Sequence, residues 1–159
     1  RLAPIEMGQL KAAVPELIGV KVAGGDMAWY QTMRDHMEGL SVFVPGHCLA
    51  TGVSEGAHGA YSNVACIHPR AAQRWYELML IDMDLALDIE RRIQQFLTDN
   101  FAPYGKEGYS NPALDKFLAA MGGWADIGTR LRWPYRYLEA RKAIELRQVF
   151  NQLVPEFSL

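Results

Sequence analysis

Cysteine is nearly absent: Cys48 and Cys66 are the only two among 159 residues. Their spacing fits neither a zinc knuckle nor a redox pair, which excludes a disulfide-stapled scaffold and a thiolate metal centre. Reduced thiols of a cytoplasmic protein are the expectation. An excess of one charge is missing too. Sixteen Lys and Arg face eighteen Asp and Glu, net −2, so nothing suggests nucleic acid or an anionic membrane as partner. No apolar run approaches the roughly 18 residues of a spanning helix. Repeats and low-complexity stretches are also lacking. The opening Arg-Leu-Ala-Pro has no methionine and no secretory-leader pattern, and reads as the start of a fragment or a processed chain.

What remains is an ordinary core-forming composition, 50% hydrophobic and 21% charged. Pro4 to Val14 reads as a helix with proline in its first turn. Leu17 to Val22, between Pro15 and Gly24-Gly25, reads as a strand. Asp26 is a good N-cap for a helix to about Met37. Leu40 to Val44 is a second strand, stopped by Pro45-Gly46, and Cys48 to Glu55 a short helix. Gly59 to Ser62 is a third, brief strand. Helices follow from His68-Pro69 to Met79, Asp82 to Phe101, Pro112 to Met121 and Leu138 to Leu153, with no convincing strand after Asp82.

Strands that alternate with helices predict an α/β fold with parallel crossovers. Three parallel strands cannot close a barrel and leave both edges unpaired. A (β/α)8 barrel takes about 250 residues. The expected architecture is therefore the C-terminal part of a TIM barrel, its last three parallel strands in residues 1–81, followed by a C-terminal helical extension in residues 82–159.

Lys21 sits among apolar, β-branched residues at the end of the first strand. A Schiff-base lysine needs its neutral amine, and desolvation favours that form. Moving a lysine pKa from about 10.4 to between 7 and 8 corresponds to roughly 4 kcal/mol. On composition alone the plainer reading prevails, an ammonium that snorkels to water at the strand end. Gly24-Gly25-Asp26 reads as a tight turn with a capping Asp rather than an anion site. His47 is a candidate general acid or base, while Cys48 lacks a partner signature for nucleophilic work. His36, His58 and His68 are scattered and suggest no metal. Tyr61 and Ser62 end the third strand, toward the same mouth as Lys21 and Gly46. Asn111 opens a tail helix, where it also serves as a plain N-cap. Trp29, Tyr30, Trp75, Tyr76 and the Met79–Met83 stretch fit core packing or a subunit interface.

The order "GVK", "AGGD", "FVPGH", "GAHGAYSN" and "NPALDKFLAAMG" resembles the C-terminal half of the dihydrodipicolinate synthase / N-acetylneuraminate lyase family. The resemblance runs from about Pro4 to Trp133. These are class I aldolases and lyases on a (β/α)8 barrel with extra C-terminal helices, usually tetramers. It implies that Lys21 forms the imine with pyruvate or a related 2-oxo acid, which reverses the preference stated above. It also implies that Gly46 lies against substrate, that Tyr61 replaces a residue, often Ile or Val, contacting the keto acid, and that Asn111 matches the asparagine of the first tail helix. With His47 these form the expected substrate site. No metal or organic cofactor is implied, since the imine is made on Lys21 itself. The implied partners are the 2-oxo acid, the N-terminal barrel half and further copies in a dimer or tetramer.

The departures are specific. Val22 stands where the family commonly has an acidic residue, and Gly46-His47-Cys48 replaces "GDD". The family's proton-relaying tyrosine, its neighbouring threonine and the carboxylate-binding Gly/Thr loop belong to the first five strands, outside this sequence. The alternative reading is thus a non-catalytic relative, or a half-barrel that serves binding and assembly.

Overall fold

The computed structural model describes residues 2–158. The chain divides into two compact units, Arg1–Tyr61 and Ser62–Leu159.

The first unit is built as helix α1 (Pro4–Ala13), strand β1 (Gly19–Lys21), α2 (Met27–His36), β2 (Ser41–Pro45), α3 (Leu49–Ser54) and β3 (Gly59–Tyr61). A 3-10 turn, Gly46–Cys48, joins β2 to α3. The strands form one parallel sheet in the order β1-β2-β3. Lys21 pairs with Phe43, Phe43 with Gly59, and Pro45 with Tyr61. Side chains alternate across a strand, so Val42 and Val44 share one face and are fully buried. α3 packs on β2 and β3 there. The approach is close: a Cβ on Gly52 would lie 2.7 Å from a Val44 methyl. α1 crosses α2 at Gly8, where a Cβ would fall 2.1 Å from the His36 carbonyl oxygen. Asp26 caps α2, its carboxylate accepting from the Trp29 N–H at 2.9 Å. That agrees with the turn reading of the preceding glycines, Gly24 having φ +74°.

The other face carries Gly19, Lys21, Ser41, Phe43, Pro45, Gly59 and Tyr61, and Lys21 and Tyr61 are exposed. In this chain by itself Lys21 therefore follows the reading from composition, an ammonium reaching water at the strand end, and not a desolvated amine. β1 is only three residues long, and none of them is buried.

The second unit is helical: α4 (Asn63–Ile67), α5 (Pro69–Met79), α6 (Met83–Lys106), α7 (Asn111–Gly122) and α8 (Ala140–Leu153), closed by a 3-10 turn Pro155–Phe157. Its core is aromatic. Phe96 lies 4.9 Å from Phe150 and Phe101 5.6 Å from Phe117, centre to centre, in edge-on geometries. The buried Trp75 indole donates to the Ala86 carbonyl at 3.0 Å, which leaves no polar atom of that side chain unsatisfied. His68 caps α5 by accepting the Ala71 N–H at 3.1 Å. α7 meets α4 at Gly122.

The structure adds one element to the sequence expectation and moves several boundaries. α4 is an addition, too short to show a helical period in the sequence. α6 continues through Pro103 to Lys106, because a proline near a helix end sacrifices little. α7 takes Ser110, not Asn111, as its N-cap residue, and Asn111 is already helical.

Candidate active site

The parallel register brings the strand ends Lys21, Pro45 and Tyr61 to one rim of the sheet, the C-terminal rim where α/β folds hold their chemistry. Lys21 Nζ lies 5.3 Å from the centre of the Tyr61 ring. Tyr61 in turn meets Phe43 edge-on at 6.1 Å. The Phe43 ring has room because its flanks are glycines: a Cβ on Gly59 would stand 3.2 Å from it, and one on Gly19 3.6 Å. Lys21 therefore shares its face with an aromatic pair and with no other formal charge.

Gly46 is buried in the turn directly after β2, and the half-buried His47 follows it. Both adjoin the rim through Pro45. Asn111 is carried by the second unit, where it is the exposed first residue of α7. Sequence reasoning missed Phe43. The signal for it was the alternation Ser41-Val42-Phe43-Val44, which puts Phe43 on the Lys21 face once the strands are in register.

His58 belongs to the opposite rim. Its Nδ1 accepts the Val42 N–H at 3.2 Å, a structural use of the ring. A hollow of about 440 Å³ opens beside it, lined among others by Met33, Met37, Leu40 and Ser41. It is separate from the rim that carries Lys21. Cys66 is half-buried, and burial first, then the charge of Asp115, pushes its thiol above the usual range. Such a thiol is a poor nucleophile at neutral pH. Among the described residues no cluster of three His, Cys, Asp or Glu could hold a metal ion, and no helix is long and apolar enough to cross a membrane.

Neither a family model nor a curated protein matches the chain. Solved structures do. A dihydrodipicolinate synthase family protein from Coccidioides immitis superimposes with a TM-score of 0.72 at 21% identity, over 98% of this chain and 52% of that one. The chain shares the fold of the dihydrodipicolinate synthase family. A prophage protein of that family from E. coli K12, solved in complex with pyruvate, gives 0.71 at 16% identity, over 96% of this chain and 51% of that one. N-acetylneuraminate lyase from Fusobacterium nucleatum gives 0.64 at 19%, over 95% and 48%. The chain thus spans about half the length of the dihydrodipicolinate synthase-type structures it matches.

Proposed function

We propose that the chain is the C-terminal half of a Schiff-base-forming lyase or aldolase acting on pyruvate or a related 2-oxo acid, with Lys21 as its nucleophile. One observation carries this reading: Lys21 is the single charge on the uncovered face of a parallel sheet, at its C-terminal rim. The shared fold and the pyruvate complex of one neighbour support it. Sheets of parallel strands are covered on both faces, so the exposed face calls for the remaining strands of a barrel. In this reading residues 1–81 complete the cylinder and 82–159 form a helical extension. The whole is a cytoplasmic dimer or tetramer.

Covering that face strips water from the amine and favours the neutral form that attacks carbonyls. Nζ bonds to the keto carbon while its oxygen takes a proton. The resulting carbinolamine expels water to leave a protonated imine. In a 2-oxo acid with a hydroxyl on C4, that imine accepts the electron pair of the C3–C4 bond as it breaks, giving an enamine while the C4 hydroxyl loses its proton and becomes the released aldehyde. Pyruvate itself reaches the same enamine by losing a methyl proton, and bond formation runs these steps in reverse. Proton transfers fall to groups of the covering half, and no metal or organic cofactor takes part. Gly46, His47 and Tyr61 are the proposed substrate contacts on the first unit, and Asn111, on the second, is proposed from the resemblance alone.

The second reading, a half-barrel that binds without catalysis, has its own support. Gly46-His47-Cys48 stands in place of the family's "GDD", and among the described residues Lys21 Nζ has a ring contact with Tyr61 but no hydrogen-bond partner. Borohydride trapping separates the two. Full-length protein incubated with pyruvate and reduced should carry a stable adduct on the Lys21 peptide, and Lys21→Arg should carry none. A folded wild-type protein that gains no adduct refutes the catalytic reading.

A further inference from the structure

Tyr61 ends β3 with its side chain 65% exposed, yet its ring lies under Lys21 Nζ, 5.3 Å from centre to nitrogen. A tyrosine so exposed at a strand end is free to swing into water, so this orientation needs a cause. The cause stands on β2. Phe43 meets the Tyr61 ring edge-on, at 6.1 Å and an interplanar angle of 79°, a geometry that aromatic pairs prefer. Phe43 in turn is seated across the sheet. A Cβ on Gly59 of β3 would lie 3.2 Å from its Cε1 and 3.3 Å from its Cδ1, and a Cβ on Gly19 of β1 would lie 3.6 Å from its Cε2. The ring thus fills the room that two glycines leave, one on each neighbouring strand.

Charge at Nζ decides what such an arrangement can do in the reaction. The carbinolamine and the enamine carry no charge on nitrogen, and the protonated imine between them does. In the step that makes it, the nitrogen lone pair becomes the second bond of C=N while the C–O bond breaks. The hydroxyl leaves as water, with a proton from the covering half. Positive charge therefore develops at Nζ, where the face of an aromatic ring attracts it. Relative to the carbinolamine this attraction grows towards the transition state, and only such an interaction raises the rate.

We infer that Tyr61 is a catalytic residue whose ring face stabilises the iminium on Lys21, and that Phe43, seated by Gly19 and Gly59, is the positioning residue that keeps the ring there. The inference rests on the imine reading of Lys21. It adds to that reading a role for the ring itself, apart from the hydroxyl.

Two measurements on the full-length protein test it. The first is the rate at which borohydride-trapped adduct forms on Lys21, followed by mass across pyruvate concentrations. Tyr61→Leu should lower the saturating rate about tenfold, with a smaller change in the half-saturating concentration. Phe43→Leu should lower it too, but should cost nothing further in the Tyr61→Leu background, because it acts through a ring already lost. Tyr61→Phe keeps the ring and should lose less than Tyr61→Leu. Phe43→Met, nearer in volume, takes the place of a Phe43→Leu variant that does not fold. The second measurement is spectroscopic. With carbon-13 at the lysine Cε, the Lys21 signal, identified by its absence from Lys21→Arg, should sit upfield over the Tyr61 ring. It should move downfield in both Tyr61→Leu and Phe43→Leu, whereas a purely structural Phe43 would lower Tm and leave the signal in place.

A folded wild type that gains no adduct refutes the imine reading, and this inference falls with it. A wild type that is trapped while Phe43→Leu keeps the full rate, or costs as much again in the Tyr61→Leu background, overturns the inference alone. So does an unmoved Lys21 signal in Phe43→Leu. Equal losses in Tyr61→Phe and Tyr61→Leu would give the role to the hydroxyl as a proton carrier and likewise overturn it.

Discussion

The Lys21 ammonium stands 5.3 Å from the centre of the Tyr61 ring, across the width of a three-stranded sheet and with β2 between them. The ring is the amine's only partner among the described residues. A cation–π contact at an exposed site is worth about 0.5–1 kcal/mol, far less than an ammonium's hydration.

The first prediction concerns that imbalance. On the proposed reading the covering half makes the amine trade water for one ring, which would make it a local liability for folding. Lys21→Met keeps most of the volume and removes the charge. It should abolish the pyruvate adduct and raise stability by about 1 kcal/mol, the usual scale of such activity–stability exchanges. In a domain of this size that is a rise of about 2–4 °C in Tm. A lowered Tm would mean that the amine is paired or hydrated in the whole protein.

Acid stability should be governed by one ion cluster of the second unit. Arg92 donates to both carboxylate oxygens of Glu156 at 2.9 and 2.6 Å, to Asp88 at 2.9 Å and to the Leu153 carbonyl at 2.8 Å. These bonds hold Glu156 below its ordinary 4.5. A depressed carboxylate stabilises the fold above its unfolded value and ceases to as pH falls through the folded one. Denaturant midpoints should therefore drop as pH is lowered from about 4.5, and Glu156→Gln should flatten that slope while lowering stability at neutral pH. Arg92→Met should cost about 1–3 kcal/mol. A Glu156→Gln variant that keeps the full slope would remove the cluster from the account.

Glycine substitutions should split by position. A Cβ on Gly122 would sit 1.7 Å from the Ile67 carbonyl oxygen, a contact only backbone movement could relieve. Gly122→Ala should therefore cost about 3 kcal/mol or more, on the order of the largest single-site effects. Gly105 lies within α6, and a methyl added there would meet nothing within 4 Å. Gly105→Ala should stabilise by about 0.5–1 kcal/mol through lower chain entropy in the unfolded state. Thermal melts of the pair decide it, and equal effects would contradict the helix crossing.

How far this was legible in the sequence depends on the range of each signal. Turn punctuation is local, so Gly24-Gly25, Pro45-Gly46 and His68-Pro69 placed their elements within a residue or two. Strand ends depend on ladder partners elsewhere in the chain, which is why Leu17 to Val22 shrank to three residues. The helix boundary moved from Asn111 to Ser110 although the Ser110 side chain makes no capping hydrogen bond; Pro112 in the first turn suits either start. Lys21 became a candidate through its strand-end position and the resemblance. Its pairing with Tyr61 was not legible, since that contact exists only once β2 sets the register of β1 and β3. Its exposure agrees with the reading from composition, an ammonium that snorkels to water at the strand end. The bare face around it was not legible, because strand composition reports what must be covered and not what does the covering.

That last point gives the final prediction. The face bearing Lys21, Phe43 and Tyr61 is uncovered, and an all-parallel sheet with one bare face and two open edges is not a stable arrangement in water. Expressed alone, residues 1–159 should bind a hydrophobic dye such as ANS, and the first unit's strands should exchange their amide hydrogens fast. The helical second unit, with its own aromatic core, should retain far-ultraviolet helicity. Adding the covering half in trans should suppress dye binding and slow amide exchange in the central strand β2 at Phe43 and Val44. If the isolated span instead melts as one sharp transition, without dye binding and with β2 fully protected, then the sheet needs no cover and the half-barrel reading fails.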